Sequence, residues 1–121
     1  MPKKIMIVDD EEDVRTSVSQ ILEVSGHEVI EAENGKDCLN KLNKDTPDLV
    51  LLDIMMPGMS GWDVAARIKE NPKWNNIPIV FLTAKSDEMS IGMGGLASED
   101  YIVKPFDIIE LKERVERVLN G

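Results

Sequence analysis

Two rhythms of apolar residues alternate along the chain. Short runs dense in aliphatic residues, "KKIMIV", "HEVIEA", "DLVLLD", "IPIVFLT" and "DYIVK", have the length and β-branched content of strands. Between them lie longer stretches with apolar positions three or four apart, as on a helix face. The first runs from about Asp13 to Ser25, with Gly26 as its stop. "KDCLNKLNK" forms the second, between the Asn34–Gly35 turn and Pro47. After the loop "PGMSG", Ser60 and Asp63 have capping-box spacing and open a third through about Glu70. A weak fourth covers roughly Asp87 to Leu96. A fifth follows Pro105 in "DIIELKERVERVLN", whose Ile108, Leu111, Val115 and Val118 share one face.

Five strands alternating with five helices predict a parallel sheet covered on both faces, because parallel strands need crossover connections. The fold class is therefore α/β and doubly wound. With 121 residues there is room for one domain, residues 1–121, and one core. In such folds ligands collect at the carboxyl ends of the strands. Those ends hold "VDDEED", Asp53, Thr83 and Lys104. Asp53 is the sharpest of these, an acid closing the apolar run Leu49 to Leu52.

Composition narrows the function. The apolar runs are far shorter than a membrane span, and "MPKKIMIVDD" enters a strand pattern without a signal core, so a cytoplasmic protein without membrane contact is expected. The 14 basic residues are scattered among 23 acids, a net charge of −9, so no direct nucleic-acid contact is expected. Cys38 has no second cysteine to pair with and reads as a small packing residue.

Clustering Asp9, Asp10 and Asp53 at one end of a sheet sets like charges together in a partly apolar place, which a cation must compensate. A hard divalent ion suits three carboxylates, and Mg²⁺ keeps water positions that a phosphate can take. Lys104 adds a second positive charge. Such a site fits phosphoryl transfer, with Asp53 as the candidate acceptor and with Thr83 and Lys104 donating to phosphoryl oxygens.

In order and spacing, "IMIVDDEEDVR", "PDLVLLDIMMPGMSG", "IPIVFLTA" and "DYIVKPF" resemble the response regulator receiver domain over essentially the whole chain. The resemblance implies a flavodoxin-like (βα)5 domain with strand order 2-1-3-4-5. It implies a two-component switch in which Asp53 accepts a phosphoryl group from a sensor histidine kinase or phosphotransfer protein. Asp9, Asp10, Asp53 and the backbone carbonyl of Met55 would organise Mg²⁺. Thr83 and Tyr101 would be the switch pair, the hydroxyl moving toward the phosphate as the ring turns inward. Lys104 would precede a cis bond to Pro105. With no second domain in these residues, output is expected through a downstream protein effector at the fourth helix, fifth strand and fifth helix. Two features depart from the family pattern: "ASED" at Ala97 to Asp100, and Gly92, Gly94 and Gly95, which weaken the predicted fourth helix by about 2 to 3 kcal/mol in total. Met89 and Met93 of that segment are flexible enough to adapt to a partner.

Rival readings fare worse. A haloacid dehalogenase-type phosphatase needs a second acid two residues after the nucleophile, where this chain has Met55. A flavodoxin-type electron carrier needs a phosphate cradle where "DDEED" would repel one. A phosphorylation-independent pseudo-receiver would not need Asp53, Asp10, Thr83 and Lys104 together. Glu11, Glu12 and Asp13 read as acids complementing a helix start. His27 is expected to be an exposed edge residue without a catalytic role, and Trp62 and Trp74 to cover apolar surface.

Overall fold

The computed structural model describes residues 2–84 and 100–120. Its strands are β1 (Lys4–Val8), β2 (Glu28–Ala32), β3 (Leu49–Asp53), β4 (Ile79–Ala84) and β5 (Asp100–Lys104). They form one parallel sheet in the order β2-β1-β3-β4-β5. The described helices are α1 (Glu12–Val24), α2 (Gly35–Lys44), α3 (Gly61–Glu70) and α4 (Ile108–Asn120). This is the doubly wound parallel α/β architecture that the alternation predicts, in the flavodoxin-like strand order that the resemblance implies. The predicted helix over Asp87 to Leu96, with Gly92, Gly94, Gly95, Met89 and Met93, and most of the "ASED" turn lie outside the described residues.

Strand alternation sends successive side chains to opposite faces, and each face builds its own core. Met6, Val8, Val50, Leu52, Ile79 and Phe81 pack with Cys38 and Leu42 of α2 and Val64, Ala65 and Ile68 of α3. Ile5, Ile7, Leu49, Leu51, Val80, Leu82 and Ile102 pack with Val18 and Leu22 of α1 and Leu111 and Val115 of α4. Both faces of β3 are covered, so all five of its residues are buried, Asp53 included. β2 is an edge strand, and of its five residues only Ala32 is buried.

Local signals place the helix starts. The capping box forms as spaced: Ser60 Oγ accepts the Asp63 N–H at 3.2 Å, and the Asp63 carboxylate accepts the Ser60 N–H at 3.1 Å. Asn34 caps α2 by accepting the Asp37 N–H at 2.8 Å. Cys38 is buried, and that burial, followed by the charge of Asp37, pushes its thiol up to about 12, leaving an inert packing group. Trp74 is buried, and Trp62 packs edge-on to Phe81 with centroids 4.6 Å apart.

His27 departs from expectation. It is 7% exposed, not an open edge residue. Its Nδ1 accepts the Lys3 N–H at 3.1 Å, so the ring proton sits on Nε2, which meets Glu116 Oε1 at 2.7 Å. The cause is α4 folding back over this end of the sheet. That contact joins residues 89 apart in sequence, and no local pattern signals it.

Candidate functional site

The ends of β1 and β3, neighbours at the centre of the sheet, bring the acids together. Asp9 follows Val8, which pairs with Leu52, the residue before Asp53. One carboxylate oxygen from each of Asp9, Asp10 and Asp53 lies within 4.8 Å of the others. Asp9 and Asp53 are buried and Asp10 is exposed, so the cluster is walled on one side and open on the other.

Lys104 arrives from the end of β5 by way of β4, where Ala84 is its register partner. Its Nζ lies 2.8 Å from Asp9 Oδ2 and 3.4 Å from Asp53 Oδ1. Burial works to lower the pKa of this ammonium, but its hydrogen bond to Asp9 and the charges of Asp53 and Asp9 outweigh that and hold it raised. The Lys104–Pro105 bond is cis.

Asp53 is pushed up to about 7, first by burial and then by the charge of Asp9, with Lys104 acting the other way and Asp10 adding to the rise. One lysine does not balance three carboxylates. An oxygen donor set this close, open to solvent at Asp10 and short of positive charge, fits a hard divalent cation such as Mg²⁺.

Asp9 is held at every polar atom. Its N–H donates to Ala32 O at 3.2 Å, Oδ1 accepts the Glu11 N–H at 2.9 Å, Oδ2 meets Lys104, and its carbonyl accepts from Arg15 Nη1 at 2.6 Å. Orienting a helix start and joining an acidic cluster are thus both tasks of this one residue.

The loop after β3 depends on two glycines. Gly58 has φ +78°, a left-handed conformation that suits glycine. Gly61 opens α3 against the strand end: its N–H donates to Ile54 O at 2.8 Å, and a Cβ there would lie 2.3 Å from Asp53 O. Met55, within this loop, has an exposed side chain.

Thr83 lies on β4 and Tyr101 on β5, the two strands beyond β3. The Thr83 hydroxyl is buried and donates to Ala84 O at 3.1 Å, along its own strand. The Tyr101 ring is half-buried and stacks on Phe81, with centroids 5.9 Å apart and planes at 22°. Arg114 of α4 donates to the Tyr101 carbonyl at 3.0 Å. Gly61 and Arg15 were not singled out from the sequence. Gly61 carried a partial signal, as a glycine beside a capping serine, whereas nothing local marks which carbonyl an arginine will reach.

A family model described as the response regulator receiver domain matches residues 5–116. Among curated proteins, the alkaline phosphatase synthesis transcriptional regulatory protein PhoP of Bacillus subtilis is 39% identical over 98% of this chain and 49% of its own length. The phosphate regulon transcriptional regulatory protein PhoB of Pseudomonas aeruginosa is 42% identical over 97% and 52%. The chain therefore spans about half the length of these relatives. Among solved structures, a CheY-like response regulator receiver domain protein of Methanospirillum hungatei superposes with a TM-score of 0.85 at 42% identity, covering 97% of this chain and 94% of that one. The receiver domain of NtrX from Brucella abortus gives a TM-score of 0.90 at 31% identity over 97% and 98%.

Proposed function

The chain belongs to the response regulator receiver family, and from that premise we propose that it is a phosphorylation-dependent switch with Asp53 as acceptor. Receiver domains act with histidine kinases and downstream effectors. The observation that carries the reading is a buried strand-end carboxylate gathered with Asp9, Asp10 and the Lys104 ammonium.

In the proposed step an ionised Asp53 oxygen attacks phosphorus, forming a P–O bond as the P–N bond of a phosphohistidine breaks and the imidazole leaves. When bound, Mg²⁺ supplies positive charge that favours ionised Asp53 and neutralises the phosphoryl oxygens. Asp9, Asp10, Asp53 and the Met55 carbonyl are the groups that would hold it. Lys104, now shared between Asp9 and Asp53, turns to a phosphoryl oxygen once Asp53 carries the phosphoryl group as a mixed anhydride. Thr83 gives up its bond to Ala84 O to donate to another, and Tyr101 follows it inward, altering the face formed with β5 and α4 for a downstream protein. The acidic surface supports a protein rather than a nucleic acid as direct partner, and a cytoplasmic site is in keeping with the family.

Acetyl phosphate tests the reading directly. Intact mass should show one added phosphoryl group in wild type with Mg²⁺, and none in Asp53→Ala or after chelation. Wild-type labelling in Asp53→Ala would sink the assignment. A wild type that takes no label would leave a phosphorylation-independent binding module.

A further inference from the structure

Arg15 lies on the first turns of α1, and its guanidinium reaches back to the strand end. Nη1 donates to the Asp9 carbonyl at 2.6 Å, while Nε lies 3.5 Å from Glu31 Oε1 on β2. The side chain is only 14% exposed. The carbonyl it holds belongs to the peptide bond that joins Asp9 to Asp10. Peptide planarity means that fixing this oxygen fixes the plane from which Asp10 springs. Asp9 has its N–H and both carboxylate oxygens engaged as well, so the Arg15 bond completes its restraint. Glu31 pairs with the guanidinium at Nε, and its backbone is anchored, since its carbonyl accepts from Lys41 Nζ and its strand pairs at Ile7.

We propose that Arg15, braced by Glu31, is a positioning residue that sets the direction of the Asp10 carboxylate and so the divalent-cation affinity of the acidic cluster. The proposal rests on the reading of that cluster as a cation site. Arg15 is itself a cation, and the two effects it can have are opposite in sign. By charge alone, removing it should tighten cation binding. By position, removing it frees the Asp9–Asp10 peptide to rotate and weakens binding, because groups that orient a metal's ligands carry part of its affinity.

The probe is Mn²⁺, followed by loss of the free-ion electron paramagnetic resonance signal, with Mg²⁺ as competitor. Wild type and Asp10→Asn are measured first. If wild type binds neither ion, or Asp10→Asn binds as wild type does, the cation-site reading fails and this proposal with it. If that control holds, Arg15→Gln should weaken Mn²⁺ binding by about tenfold, the low end for such orienting groups. Arg15→Lys keeps the charge but cannot bridge the carbonyl and Glu31 together, so it should fall between the two. Glu31→Gln should weaken binding in the same direction and less. Affinity equal to or tighter than wild type in folded Arg15→Gln would overturn the proposal. If that variant does not fold, Arg15→Lys and Glu31→Gln decide it, and wild-type affinity in both overturns it equally.

Discussion

Asp53 shows what a site residue exacts from the fold that carries it. Its ordinary value is 3.8 and its value in place is about 7. Between those values the folded chain holds a proton that the unfolded chain releases, so stability falls as pH rises from about 4 to about 7 and is then level. Asparagine at this position is neutral throughout. Metal-free Asp53→Asn should therefore be more stable than wild type at pH 8 by about 1 to 3 kcal/mol, discounted for the solvent that reaches the site. The gain should shrink toward pH 4. Urea unfolding with a chelator at pH 5 and pH 8 measures it, and an equal difference at both would mean that Asp53 ionises as in water. Its placement at a strand end was legible in the sequence. Its neighbours Asp9 and Lys104, from strands on either side, were legible only as ends of the same kind of run, without distances.

At the scale of elements, local chemistry was readable where both partners lie within one turn. Ser60 and Asp63 cap α3 as their spacing predicts, because that pair closes within four residues. Gly61 is harder to read, since what it must avoid is the backbone of β3. Alanine favours helices over glycine by about 1 kcal/mol, so propensity alone would have Gly61→Ala stabilise α3. The close approach to Asp53 O reverses that expectation. The variant should lose about 1 to 3 kcal/mol, as overpacked sites do, and label more slowly with acetyl phosphate because the strand end that carries Asp53 shifts. Chemical denaturation paired with timed intact mass checks both. A midpoint at or above wild type would show that the loop yields freely. His27 illustrates the same limit: its segment marks an edge strand, but α4 covers the ring from 89 residues away.

For the molecule as a whole, a cation that binds only the folded chain must stabilise it, by about 2.7 kcal/mol at a concentration a hundred times its dissociation constant. Mg²⁺ should accordingly raise the melting temperature of wild type in a concentration-dependent way, and much less that of Asp10→Asn. A thermal melt in a Mg²⁺ series, with matched ionic strength, reads this out. The same rise in both proteins would assign the effect to general screening. The sequence by itself determined the α/β class, the two-sided burial of β3 and the residue types at the strand ends. Apolar periodicity is a local property, and it dictates which elements form and which faces they bury. Tertiary structure alone decided the rest. It gave Asp9 a second task at the start of α1, turned Thr83 toward Ala84, stacked Tyr101 on Phe81, and spanned α1 and β2 with Arg15. Each of these depends on a hydrogen bond or ring contact whose direction is set by three-dimensional packing, and a one-dimensional pattern carries residue types and spacings but not directions.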